Sequence, residues 1–217
     1  MSIGNGLVIG AVAALVFAAC GPQRMDPVDP RAVGDLKPDV EDSDGGFVGM
    51  RPDFTPKTYT AIVLTPLTVA PGEIKDEEDI RLAKDMAAYF QAQLAKRLEA
   101  AGLFARVIDA SVSSTAPTGV RVLRLEGEIP KLTEGDQALR YFLGLYGAGA
   151  AKAQVETRLI DVESRQVVMI TADRRAASMG FFGGDGRQFV TESMEQMAEG
   201  YVKLLKHLSA GGRPGKR

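Results

Sequence analysis

One cysteine, Cys20, and one histidine, His207, set the limits on what chemistry these 217 residues can do. A single thiol allows no intramolecular disulfide and no cysteine cluster for zinc or iron–sulfur. A lone imidazole leaves one kind of nucleophile–base pairing, His207 with Ser178 or Ser193. Neither serine sits in a Gly-x-Ser-x-Gly elbow. His207 falls in the last turn of a predicted closing helix, where an imidazole complements the helix C-terminus or faces solvent. Asp173 and Asp185 are the remaining acid–base pair of interest. The run Asp76-Glu77-Glu78-Asp79 could hold a cation, yet it opens a helix, where the macrodipole already favours carboxylates. Met179, Met194 and Met197 could be thioether ligands, but on a helix face they serve equally as soft core filler. Gly144 and Gly149 have the separation of a phosphate loop, but Ala150 stands where the lysine must be. The chain is therefore read as a non-enzyme, without cofactor or metal. Twenty-six Lys and Arg oppose 28 Asp and Glu, a net charge of −2. That excludes a strongly basic nucleic-acid binder, because phosphate neutralisation needs a clear cationic excess.

The elements that must position these residues begin with an export signal. Leu7 to Ala19 holds thirteen residues of Leu, Val, Ile, Gly, Ala and Phe. As a helix they span about 20 Å, short of the roughly 30 Å hydrocarbon core, which fits a signal-peptide h-region. The segment ends Val16-Phe17-Ala18-Ala19-Cys20-Gly21, and small residues before a cysteine resemble the bacterial lipobox. That resemblance implies cleavage after Ala19, acyl chains on Cys20 and, with Gly21 following, sorting to the outer membrane. Phe17 replaces the usual leucine, and Met1–Gly6 carries no Lys or Arg, so a start codon placed elsewhere is an alternative. Residues 20–57 then hold the lipidated cysteine and a Pro/Asp-rich stretch without apolar periodicity, expected to be a disordered tether. Its Glu41-Asp42-Ser43-Asp44 lacks the ligand alternation of a calcium loop.

Residues 58–209 are expected to form one α/β (α+β) domain. It is a single two-layer sandwich, a mixed sheet of about five strands with two amphipathic helices on one face. Tyr59–Leu64 reads as a buried strand. Ile80, Ala83, Ala87, Phe90, Leu94, Leu98 and Ala101 make one apolar helical stripe closed by Gly102. Leu103–Ile108 reads as a second strand, parallel to the first. Alternation in Val120–Ile129 and in Ala153–Leu159 predicts strands with one solvated face. A hairpin through Val162–Gln166 returns along Val167–Ala172, and a helix near Arg187–Leu208 buries Val190, Met194, Met197, Tyr201, Leu204 and Leu208. Residues 210–217 are read as a flexible basic tail.

Between the third and fourth of these strands, Leu139, Tyr141, Phe142, Leu143, Leu145 and Tyr146 crowd large apolar side chains into eight positions. Either a buried helical hairpin hides them or they form a partner contact, for which Tyr141, Phe142, Leu145 and Tyr146 are the candidates. Here the residues resemble a known family. Gly135-Asp136, Arg140-Tyr141, Gly144, Gly147-Ala148-Gly149-Ala150-Ala151 and Leu159-Ile160-Asp161, with Leu64-Thr65-Pro66-Leu67 upstream, are similar to the bacterial lipoproteins of domain of unknown function 4410. The likeness covers about residues 58–208, and it marks Gly135, Arg140, Gly147, Gly149 and Asp161 as structural motif positions. The family usually has a glycine in the turn after the aspartate; here Ser164-Arg165 stands instead. The resemblance implies an envelope lipoprotein of mixed α/β fold and no reaction. A looser similarity is to auxiliary lipoproteins of envelope transport systems. The expectation is a non-catalytic accessory module on the outer membrane, facing the periplasm. Its partners would be the membrane, through acyl chains on Cys20, and an envelope protein or a second copy. A small-ligand carrier, with a pocket near Phe181-Phe182, and a periplasmic enzyme are the alternatives.

Overall fold

The structure, a computed structural model, describes residues 22–111, 117–135, 150–176 and 185–216. Cys20, the export segment and the apolar stretch at 136–149 lie outside the described residues, as do Ser178 and Phe181-Phe182.

The described strands are β1 (Gln23–Met25), β2 (Val40–Asp42), β3 (Gly46–Met50), β4 (Ala61–Leu64), β5 (Thr68–Val69), β6 (Arg106–Asp109), β7 (Val122–Thr133), β8 (Lys152–Asp161) and β9 (Val167–Ala176). They join in one mixed sheet of order β2-β3-β9-β8-β7-β4-β6, with β1 also on β9 and β5 also on β7. β4 runs parallel to β6 and β7, while β7, β8 and β9 are antiparallel neighbours. β4 is buried at every position, as a short β-branched run flanked by strands on both sides should be.

Two helices, α1 (Glu77–Ala101) and α2 (Gly186–Ser209), pack against each other and into one core with Leu123, Leu125, Val155 and Leu159 of the sheet. The acidic run opens α1 as expected, with Glu77, Glu78 and Asp79 in its first turn and Asp76 as its N-cap. The Asp76 carboxylate accepts from the amides of Glu78 and Asp79, and Gly102 ends α1 at φ 61°. On α2 every residue expected in the core is buried.

Three expectations need correction. Among the described residues the sheet has nine strands rather than about five. Residues 22–57 are not a disordered tether: they supply β1, β2 and β3, which pair with β9 and with each other. The strands are three to five residues long, too short for a period of two to stand out among prolines and aspartates. The basic end is also docked. Gly215 N donates to Asp42 Oδ2 at 3.0 Å, Ser43 N donates to the Gly215 carbonyl at 3.2 Å, and Lys216 pairs with Glu41 at 2.7 Å.

The N-terminal segment also changes the face opposite the helices. Gln154 and Glu156, whose alternation predicted solvent, are buried at 0% and 7% exposure. Val28 N donates to Gln154 Oε1, Gln154 Nε2 donates back to the Val28 carbonyl, and Arg31 N donates to Glu156 Oε2. A second layer of chain, not water, satisfies these side chains.

Candidate functional site

Three polar arrangements and one end of the sheet stand out. The first ties the N-terminal segment down. Asp42 is fully buried; its Oδ1 accepts from the amides of Asp44 and Gly45, each at 2.9 Å, and its Oδ2 from Gly215. Arg24 on β1 reaches the same turn, donating to the carbonyls of Asp42, Ser43 and Asp44. Its Nε and Nη2 also reach Asp173, both at 3.2 Å. Asp173 in addition accepts from Arg175. The turn packs so tightly on α2 that a Cβ on Gly200 would stand 2.2 Å from the Asp44 carbonyl oxygen.

The second is built around Asp161, where β8 turns into the hairpin. Asp161 Oδ2 accepts from Tyr59 at 2.8 Å and Arg121 at 2.6 Å, and Oδ1 from the amides of Glu163 and Ser164. The Arg121 guanidinium lies 4.4 Å over the Tyr59 ring. Burial alone would raise the Asp161 carboxyl, but the Ser164 amide, Arg121, Tyr59 and the Glu163 amide outweigh it and hold the group at about 2. Burial and the bond to that carboxylate push the Tyr59 hydroxyl up to about 12. In the following turn Arg165 takes φ 60°, the left-handed conformation a glycine adopts most easily. Asp161 is thus a turn-former and an anchor for the start of the domain.

The third is a cleft of about 560 Å³ on the sheet face away from the helices, lined in part by Arg31, Pro66, Glu126, Glu128, Glu156 and Arg158. Its size suits a small ligand. Its charges, however, are engaged with one another: Arg31 with Glu128 at 2.7 Å, Arg158 with Glu126 at 2.5 Å, and Glu156 with Gln154 and the Arg31 amide. Burial keeps the Glu156 carboxyl above its ordinary range. These groups close the N-terminal segment onto the sheet and leave no set of charges converging on the void. The pocket expected near Phe181-Phe182 lies outside the described residues.

The acid–base candidates are dispersed. Ser193 Oγ is buried and donates to the Phe189 carbonyl one turn back on α2. His207 lies fourteen residues further along the same helix, about 21 Å away, and its Nε2 sits 3.1 Å from the Arg213 carbonyl. Asp185 caps α2 through the Arg187 amide, and Asp173 is held by the two arginines. Among the described residues no group of three His, Cys, Asp or Glu could hold a metal ion.

Finally, Thr133, Lys152, Ala176 and Gln23 stand in register across β7, β8, β9 and β1 and so mark one end of the sheet. Gly135, at φ 79°, turns the chain out of β7 there. Tyr141, Phe142, Leu145, Tyr146, Arg140, Gly147 and Gly149 fall within residues 136–149, outside the described residues. Sequence reading missed Arg24, Asp42, Tyr59 and Arg121. Arg24, Tyr59 and Arg121 have partners far away in sequence, beyond any local pattern, whereas Asp42 has two of its three within its own turn.

No curated protein matches the chain. Among solved structures, a PelC L103M dodecamer from Paraburkholderia phytofirmans is 16% identical, covering 71% of this chain and 94% of that one, with a TM-score of 0.43. Protein XCC0632 from Xanthomonas campestris is 14% identical over 75% and 91%, with a TM-score of 0.44. Lipoprotein GNA1162 from Neisseria meningitidis is 14% identical over 68% and 99%, with a TM-score of 0.30. Likenesses this distant carry no argument about function. A family model does match, over residues 53–183, more than half the chain and including the Asp161 turn. The protein belongs to the DUF4410 family, a domain of unknown function.

Proposed function

We propose that the protein is a lipid-anchored, non-catalytic accessory module of the cell envelope, attached through Cys20 to the outer membrane and facing the periplasm. It binds an envelope protein, or a second copy of itself, through Tyr141, Phe142, Leu145 and Tyr146, in an assembly or transport complex. One observation carries the reading. The described acid–base candidates, Ser193, His207, Asp185 and Asp173, are each committed to a structural bond. The stretch at 139–146 crowds six large apolar or aromatic side chains into eight positions. Apolar side chains crowded in this way mark contact surfaces more often than reaction centres.

Replacing Tyr141 and Phe142 together by serine should abolish crosslinking to the partner in cells. The purified variant should unfold at the same denaturant concentration as the unaltered protein. Retained crosslinking would remove these residues from the contact.

A further inference from the structure

The first described strand begins three residues after Cys20. Three residues span at most about 10–11 Å even when extended. A disordered run through residue 57 would instead let the domain wander about 30–35 Å from its anchor.

β1 is held firmly enough for that short distance to count. Gln23, Arg24 and Met25 pair with Ala176, Arg175 and Arg174 of β9. The Arg24 guanidinium makes five hydrogen bonds, two to the Asp173 carboxylate and three to the carbonyls of Asp42, Ser43 and Asp44. Peeling β1 away would strand the Asp173 carboxylate, only 6% exposed, with one of its two arginines lost.

Register then decides which surface is near the anchor. Gln23 stands beside Ala176, Ala176 beside Lys152, and Lys152 beside Thr133. β7 ends at Thr133, β8 begins at Lys152 and β9 ends at Ala176, so positions 136–149 and 177–184 adjoin this row in sequence. The hairpin at 162–166 caps the other end, ten residues along β8 and about 33 Å away.

We propose that the row Thr133, Lys152, Ala176 and Gln23 is the membrane-facing end of the domain, pinned against lipid headgroups by the acylated Cys20 with no free tether between. The inference rests on the reading of Cys20 as the acylated residue. It deepens the proposed function, because a partner bound through the 136–149 segment is then met at the bilayer surface.

The test uses the mature, acylated full chain on vesicles of phosphatidylethanolamine and phosphatidylglycerol doped with a nitroxide-headgroup lipid. A fluorophore is placed at Lys152→Cys or at Ser164→Cys in the distant hairpin. Flotation reports acylation separately from orientation. The expected result is co-flotation, loss of fluorescence at Lys152 and none at Ser164. Inserting about ten Gly and Ser residues between Pro22 and Gln23, which adds about 15–20 Å of coil, should restore fluorescence at Lys152 without loss of flotation. A label at exposed Gln23 repeats the reading should Lys152→Cys not fold. Flotation with equal signals at both ends, or with the order reversed, overturns the orientation while leaving the anchor intact. Failure to float overturns the acyl anchor, and the orientation with it.

Discussion

Asp42→Ala should destabilise the protein by about 3 kcal/mol and free the N-terminal strands. The carboxylate is fully buried and accepts from three backbone amides, Asp44, Gly45 and Gly215. Alanine leaves three donors in a dry site, and each unsatisfied buried group costs about 1–3 kcal/mol, though not additively. The same turn presents the three carbonyls that hold Arg24, so the damage should spread to β1. Asp42→Asn is the graded control. Its Oδ1 can still take the Asp44 and Gly45 amides, while its Nδ2 meets the Gly215 N–H, donor against donor. Its loss should be intermediate. Urea denaturation gives the energies, and amide hydrogen exchange at Phe47–Met50 reports the release of the segment. Unchanged midpoint and protection in Asp42→Ala would show that the N-terminal strands do not depend on this turn.

The second large effect is at Asp161 and depends on pH. The carboxyl moves from an ordinary value of 3.8 to about 2 in the folded protein. A group whose folded value is depressed binds fewer protons in the native state than in the unfolded one between the two values. Its contribution is therefore complete above about pH 4–5 and is lost as pH falls through about 2. The difference corresponds to about 2 kcal/mol at neutral pH. Asp161→Asn keeps an acceptor for the Glu163 and Ser164 amides but loses the charge that holds Arg121 and Tyr59. The variant should be about 2 kcal/mol less stable at pH 7, with the gap closing toward pH 2. A gap that stays constant from pH 7 to pH 2 would mean that geometry, not ionisation, gives the aspartate its value.

Much of the C-terminal architecture was legible because it is local. The stripe through Phe90, Leu94 and Leu98 placed α1, Gly102 marked its end, and Val190, Met194 and Tyr201 placed the core face of α2. The turn motif around Asp161 was legible by family likeness, and its aspartate proves to be a junction of four hydrogen bonds. What could not be read is non-local. β1 pairs with residues about 150 positions away, and Arg24 has value only beside Asp173. Aspartates that look like solvating residues of a linker become, once buried, acceptors for turn amides, as Asp42 does. The outer face of β8 misled for the same reason. Alternation reports polarity, and Gln154 and Glu156 are polar because backbone of the N-terminal segment, rather than water, lies over them. The proposed contact residues Tyr141 and Phe142 were singled out by crowding alone, and the row from Thr133 to Gln23 shows where their segment joins the fold.

Acylation of Cys20 is the most direct test of the account. Cells expressing the protein are labelled with radioactive palmitate and fractionated, alongside cells expressing Cys20→Ser. The account predicts label on the unaltered protein, which sediments with the outer membrane. The Cys20→Ser protein should carry no label and be soluble or uncleaved. Normal processing and membrane sedimentation of Cys20→Ser, or no palmitate on the unaltered chain, would contradict it.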